Sequence, residues 1–496
     1  MLRGVYEIVE PLVELKETVA PYLGSAANTI TSAVKGIILD AIPNTANSWI
    51  YRTDPHSELP SFRTAVVGVS DILSTIHPNY LLVAATFVAA FFILYIKMKY
   101  PFWNQIPALH VYDWHRRLFY SDRPFIVHPI PKKTKYYDPR LVKTRRFQDL
   151  TRGETEEIAK LLQNNYLPSD RVFCSIQEPA LAAQCSGALV STWNTIEEDI
   201  VLSVENVITT AKIREVEGFI TSRKIITAIA LDSGESLLEH AYYVDYLCFN
   251  KKAMVVDNAR RLFHSHEFNK RTYFPDLKIT LFKKEIELCD AIVPLVEFEM
   301  LTFYLRFQIE PKPLPKYFQI VRIQREHLRH LHDWMERVAS LKDDIGLRVS
   351  ITAEIGDLIH LLQTNQIFAY ALRGPDPEIK TKLDMVYGMY FFRDAHMKYE
   401  DLDGGDTLHA TAAFCNTADF ELYFLGFVLA VREARKDLSG TETKMLMVDD
   451  LGHLRGVAKR WQRTHDVVLR AKCAYYFCNY VVPRSPYDAG TVNILL

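Results

Sequence analysis

The sequence predicts an α/β protein of two tandem halves, preceded by a membrane-spanning helix and a helical N-terminal segment. Three observations predict it. Residues 72–96 contain no Asp, Glu, Lys or Arg. From Glu154 onward, helical stretches alternate with short apolar runs of strand length, the pattern of an α/β domain. At Glu310–Pro315, EPKPLP, three prolines break the chain, and a second such pattern begins after them. At 496 residues the chain also exceeds what one core usually accommodates.

Residues 1–78 form the N-terminal segment. Leu12, Leu15, Val19, Ile30, Val34, Ile37 and Ile38 give it helical character, interrupted at Pro21, Gly24 and Pro43. Such a segment lies on a membrane, packs on a partner, or covers a small core of its own. It lacks the uninterrupted apolar run of a secretory signal. Residues 79–98 follow as the membrane span. Tyr80–Ile96, YLLVAATFVAAFFILYI, is apolar apart from Thr86 and its tyrosines. With its His77-Pro78-Asn79 lead it is just long enough for the roughly 20 residues a spanning helix needs. Lys97 and Lys99 follow at once, with Arg116 and Arg117 beyond. By the positive-inside rule the C-terminal part faces the cytoplasm or its topological equivalent, and the membrane is an expected partner.

Residues 99–153 are basic and rich in proline and aromatics. Lys132, Lys133, Lys135, Arg140, Lys143, Arg145 and Arg146 suit anionic lipid, an acidic partner or plain solvent. A net charge of -2, with 24% charged residues, gives no sign of a nucleic-acid binder.

In the first half, residues 154–310, Glu156–Asn165 is a helix stopped at Asn165-Tyr166-Leu167-Pro168, and Val216–Leu231 reads as strands around a turn at Ser222-Arg223-Lys224. Ala241–Phe249 is apolar and aromatic apart from Asp245, a strand covered on both faces. After a polar turn at Asn250–Lys252, Ala259, Leu262, Phe263 and His266 recur at helical spacing, with Asp257 or Asn258 as N-cap. A strand, a loop and a helix N-terminus in that order can receive a phosphate-bearing cofactor. In the second half, residues 311–496, strands are expected at Phe318–Ile323, Ala369–Leu372, Met385–Phe392 and Met445–Val448. Helices are expected at Glu326–Leu341 and Phe420–Arg435, with a turn at Asp403–Asp406.

Other chemistry is thinly signposted. Seven scattered cysteines, none at zinc or redox spacing, fit a reducing compartment. His327, His330 and His332 read as a solvated helix face and not as metal ligands. Asp449-Asp450 reads as a helix N-cap. No Gly-x-Ser-x-Gly, P-loop or His-Glu-x-x-His motif is present.

Tyr246-Leu247-Cys248 followed by Lys251-Lys252, the earlier Tyr100-Pro101-Phe102-Trp103, and the late stretches Ala474–Tyr480 and Asn493–Leu496 together resemble the N-myristoyltransferases. These are the doubled members of the GNAT acyltransferase superfamily, and the style is closest to relatives in large DNA viruses. The resemblance spans residues 99–496 and implies two tandem GNAT-like halves. It implies acyl-CoA as cofactor, held by Tyr100, Phe102, Trp103, Lys251 and Lys252. It also implies oxyanion donors at the backbone amides of Tyr246 and Leu247, and a terminal carboxylate on Leu496 as base.

The sequence departs from the family at the phosphate loop. Met254, Val255, Val256 and Asp257 stand where family members carry basic and small polar residues, and no glycine opens the backbone. Asp257 would cap the helix and repel a phosphate. The leading expectation is therefore a membrane-anchored protein with a degenerate site, no bound cofactor and no catalysis. It would be a structural component of a large-DNA-virus virion, linking membrane to protein shell, with capsid proteins as partners. The alternative is an active membrane-bound enzyme moving an acyl group from acyl-CoA to a peptide or protein amine. A groove at Tyr246 filled by Met254 or Phe263 favours the first; an open one favours the second.

Overall fold

The computed structural model describes residues 78–496 apart from 114–115, 117–122, 168–170, 195–197, 205–206, 214–215, 252–254, 306–311, 342–345, 376–384, 401–404 and 439–442. Residues 1–77, the first half of the 403–406 turn and the start of the proline-rich break therefore lie outside the described residues. The chain divides into two compact units, Met1–Ala89 and Ala90–Leu496.

Helix α1 (Pro78–Lys99) covers the expected span, with the side chains of residues 78–85 outside the described set. Among the described residues no helix is long and apolar enough to cross a membrane. Phe87, Val88, Phe92, Leu94 and Met98 are nonetheless exposed on α1, while Ile96 is buried.

The unit from Ala90 onward is built on one sheet of fourteen strands. In chain order they are β1 (Val142–Arg146), β2 (Leu189–Asn194), β3 (Val216–Ala230), β4 (Ser236–Phe249), β5 (Ile279–Glu285), β6 (Val296–Tyr304) and β7 (Gln319–Arg322). Then follow β8 (Val349–Ala353), β9 (Ile367–Gly374), β10 (Met385–Asp394), β11 (Asp406–Cys415), β12 (Thr443–Asp449), β13 (Val467–Cys478) and β14 (Val492–Leu495). The order across the sheet is β7-β9-β10-β11-β12-β6-β13-β5-β4-β3-β8-β14, with β2 also on β3 and β1 outside it.

Among the described residues, the helices of eight or more residues after α1 are α2 (Arg152–Asn165), α3 (Val256–Tyr273), α4 (Leu328–Ala339), α5 (Ile355–Gln363), α6 (Phe420–Leu438) and α7 (Leu454–Trp461).

A duplication invisible in the sequence appears in the strand pairing. In the first half β4 runs parallel to β5 from Ala241↔Ile279 to Val244↔Phe282 and then parts from it. In the second half β11 runs parallel to β12 as far as Ala410↔Val448 and parts likewise. Just beyond each parting point the upstream strand bulges against its other neighbour, at Tyr246–Leu247 and at Thr411. A long helix follows each of those strands, α3 after β4 and α6 after β11. The halves then exchange strands, since β6 of the first lies between β12 and β13 of the second. Two cores that would otherwise need separate edges are thus closed into one sheet.

Local chemistry explains where elements begin. α2 opens with a capping box: Glu154 N donates to Thr151 Oγ1 and Thr151 N to Glu154 Oε2, so the helix starts before the expected Glu156. The turn expected at Ser222-Arg223-Lys224 is instead the middle of β3, one continuous strand. Its first part pairs with β2 and its second with β8. Those polar residues read as a turn because their partners are remote in sequence: Ser222 contacts His266 Nε2 at 2.9 Å, and Arg223 faces Asp245.

α3 follows the same logic along its buried face, which carries His266, Glu267, Lys270 and Arg271. His266 Nδ1 meets Ser191 Oγ at 2.8 Å. Lys270 donates to Glu267 and Thr280, and Thr280 Oγ1 donates to Glu267. These two sets of buried hydrogen bonds, one on His266 and one on Lys270 and Glu267, fix one seating of the helix on the sheet. All seven cysteines are free, and six are buried.

Candidate functional site

The opening between β4 and β5 is the candidate site. Against β3, Phe219 pairs with Cys248 and Thr221 with Asp245, so Tyr246 and Leu247 together oppose one residue. This is a β-bulge, and Tyr246 takes φ +49°, a left-handed conformation costly for a bulky side chain. The bulge turns the end of β4 out of a flat ladder, and Leu247 is 42% exposed. The strand expected to be covered on both faces is buried from Ala241 to Val244 and again at Cys248 and Phe249, and opens only at the bulge.

Asp245 governs what the bulge presents. Its Oδ1 accepts the backbone N–H of Tyr246 at 3.0 Å, which occupies one of the two amides expected to be oxyanion donors. Arg223 approaches the other carboxylate oxygen at 3.9 Å and lies over the Tyr243 ring. The Tyr166 ring sits 5.6 Å from that of Tyr246. The Tyr246 hydroxyl donates to Gln184 Oε1, and burial followed by the Asp245 charge pushes its pKa well above the usual phenol value. Gln184 also contacts Gln366 at 3.1 Å and His396 Nε2 at 2.8 Å, and His396 Nδ1 faces Asp394 at 3.2 Å. The bulge is therefore tied into the second half of the sheet by side-chain polar contacts.

The phosphate end is equally altered. α3 is preceded by Val255, which supplies no side-chain cap, so neither Asp257 nor Asn258 is the N-cap that the sequence suggests. Both lie inside the first turn, because the extended backbone at Val255 ends one residue before Val256. Asp257 pairs with Arg260 at 3.0 Å. Its charge is thereby partly offset. Val255 and Val256 are 60% and 61% exposed at the point a phosphate would approach. Lys251 is exposed, with its backbone N–H on Asn165 Oδ1 at 2.9 Å. Lys252 and Met254 lie outside the described residues.

Of the expected aromatic contacts, Phe102 is 4% exposed and belongs to the core. It meets Trp103 and Tyr136 edge-on at 5.1 Å each. Trp103 stacks on Phe282 at 5.5 Å, and Phe282 on Tyr476 at 5.4 Å. Phe263 closes the group edge-on to Phe282 at 5.5 Å. Phe263 thus belongs to the aromatic cluster between α3 and β5, whereas Tyr246 packs against a separate cluster with Cys248 and Leu181. Tyr100 donates to Asp290 Oδ2 at 2.9 Å.

Leu496 is buried in the core cluster that contains Ala241 and Tyr243. The pairing of Leu495 with Thr352, Thr352 with Ile226 and Ile226 with His240 sets Leu496 level with Ala241, three strands from β4 and five residues short of Tyr246. The register does not set Leu496 opposite the two amides.

Several residues of this region have partners that the sequence does not signal. His409 and Asp449 lie buried, Nε2 to Oδ1 at 3.2 Å, and Arg393 Nε donates to His409 Nδ1 at 3.3 Å. Burial alone would raise the Asp449 pKa, but His409 and Lys283 outweigh it and hold it low. Lys283 likewise holds Glu285, 2.7 Å away, below the usual carboxylate range. Asp449 is therefore a buried sheet residue and not the expected helix N-cap; α7 opens at Leu454 after His453. His332 faces Glu336 at 3.7 Å on α4, and among the described residues no group of His, Cys, Asp or Glu is placed to hold a metal.

No family model and no curated protein matches the sequence. Solved structures do match the fold. Saccharomyces cerevisiae N-myristoyltransferase with bound myristoyl-CoA is similar at TM-score 0.54 and 10% identity, over 80% of this chain and 94% of the other. A second structure of that yeast enzyme with bound myristoyl-CoA matches at TM-score 0.52 and 11% identity, over 80% of this chain and 99% of the other. A third, with myristoyl-CoA and inhibitors, matches at 0.52 and 11%, over 79% and 91%. The likeness shows the fold: a mixed α/β, GNAT-like architecture of the N-myristoyltransferase kind.

Proposed function

We propose that the chain is a membrane-attached protein with an N-myristoyltransferase-like fold and a closed acyl-CoA site, acting as a structural or interaction protein and not as a catalyst. The observation that carries this reading is the hydrogen bond from Tyr246 N–H to the Asp245 carboxylate. Acyl transfer from a thioester develops negative charge on oxygen and depends on donors already aimed at it. Here the donor is satisfied, and its acceptor is itself an anion. A second unit charge about 4 Å from it meets roughly 4 kcal/mol of repulsion at an effective dielectric near 20.

The other end of the cofactor path supports the same reading. Stacked aromatics fill the space over β5, and the helix N-terminus offers exposed valines and an acid already paired. In this proposal acyl-CoA is not a resident cofactor. The stretch 79–98 attaches the chain to a membrane, and the large sheet meets protein partners. A virion in which a membrane is joined to a capsid shell is the setting the reading suits.

The retained bulge, and the parallel pair that parts beside it, favour the alternative of an active acyltransferase. The two readings separate on incubation of the full chain with myristoyl-CoA and a glycyl peptide, following release of the CoA thiol. The proposal expects no release above background. Release that saturates with peptide and is lost in Lys251→Ala would overturn it.

A further inference from the structure

Around the foot of α1 the surface mixes cations with exposed aliphatic side chains. Leu94 and Met98 are 53% and 59% exposed, and Lys97 and Lys99 stand beside them. The Lys97 Nζ lies 5.5 Å from the Tyr112 ring, and the Lys99 Nζ 5.4 Å from the rings of both Tyr95 and Tyr100. Three residues on, Phe102 and its neighbour Tyr136 each take one further cation. Arg260 lies 6.0 Å from the Phe102 ring, and Lys135 lies 5.1 Å from Tyr136, which meets Phe102 edge-on. One turn before Arg260 come the exposed Val255 and Val256. Two carboxylates oppose these charges: Asp257, paired with Arg260, and Asp290, which accepts from Tyr100.

We propose that this rim is a docking surface for an anionic lipid bilayer, with Lys97, Lys99, Lys135 and Arg260 meeting headgroup phosphates and Val255, Val256, Leu94 and Met98 entering the interface between them. The inference rests on the membrane-attached reading and adds to it the lipid class and the face that lies on the membrane. Charge complementarity and composition carry it. Cations whose charged ends lie over aromatic rings, beside exposed aliphatic side chains, sit where apolar surface meets water, the arrangement of side chains at a membrane surface. A nucleic acid would leave the valines without a partner, and the chain's net charge of -2 gives it no general attraction for one.

Flotation of the full chain with phosphatidylcholine vesicles, with and without phosphatidylserine, tests this. Tighter binding to the phosphatidylserine vesicles is expected, with each cation neutralised lowering the partition about fivefold. The quadruple variant K97Q/K99Q/K135Q/R260Q keeps its binding to neutral vesicles and loses the anionic preference. The control R152Q/R329Q/K436Q removes three exposed cations away from the rim, and keeps that preference. V255S/V256S weakens binding to both vesicle types. Equal binding of the unaltered chain to neutral and anionic vesicles, a preference surviving in the quadruple variant, or a preference lost equally in the control overturns the inference. Absence of binding to any vesicle overturns the membrane-attached reading beneath it.

Discussion

Asp245→Ala is the perturbation that bears most heavily on the closed site. The substitution removes the acceptor of the Tyr246 N–H, a charge-assisted contact whose loss costs about 1.5–3 kcal/mol. It also strips the counter-charge from Arg223 at 3.9 Å. Breaking a fully buried pair costs about 3–5 kcal/mol, but the Asp245 side chain is 22% exposed and the approach is long, so only a fraction applies. Together these give a destabilisation of about 2–4 kcal/mol, read as a lower urea midpoint at unchanged slope. The same variant frees the Tyr246 N–H, which is read as faster amide hydrogen exchange at Tyr246. A midpoint within about 0.5 kcal/mol of the original, or unchanged exchange at Tyr246, refutes the claim that Asp245 occupies that amide.

Two further outcomes follow from the polar network under α3. Lys270→Met leaves Glu267 buried without its partner and costs about 3–5 kcal/mol, whereas K270M/E267L together cost much less; denaturation of both variants checks this, and equal losses refute it. His266 lies between two serine hydroxyls, and burial, then the nearby Lys270, holds its pKa well below 6.5. It is neutral when folded, while the unfolded chain takes up a proton below about 6.5. Its contribution is therefore complete above that pH and is lost as pH falls, with a slope of up to about 1.4 kcal/mol per pH unit. His266→Gln flattens the acid limb of a stability-against-pH curve, and an unchanged limb contradicts the assignment.

Much of the fold was legible because period and punctuation are local. The strand at Met385–Phe392 and the helix from Phe420 emerge from spacing alone, and each was found within a few residues. The strand containing Ser222, Arg223 and Lys224 was misread for the opposite reason. Polar residues signal a turn when their partners, here His266 and Asp245, are out of view. The duplicated bulge is a property of pairing register, which no single strand encodes. At the site, Asp245 was visible as the lone charge in an apolar strand. Its effect on the next amide was not, because that depends on the left-handed turn at Tyr246. Motif order suggests Phe102 and Trp103 as cofactor contacts, but it does not encode the packing of Phe102 among Tyr136 and Phe263 or of Trp103 on Phe282.

The central claim is that Asp245 and the aromatic packing close the slot an acyl-CoA would need. It is tested most directly by an experimental structure of the full chain determined in excess myristoyl-CoA. The account predicts the Tyr246 N–H on Asp245 and Phe263 against Phe282, with no density for the cofactor between β4 and β5. Coenzyme A seated beside Val255 and Asp257, with its thioester at a freed Tyr246 amide, would contradict it.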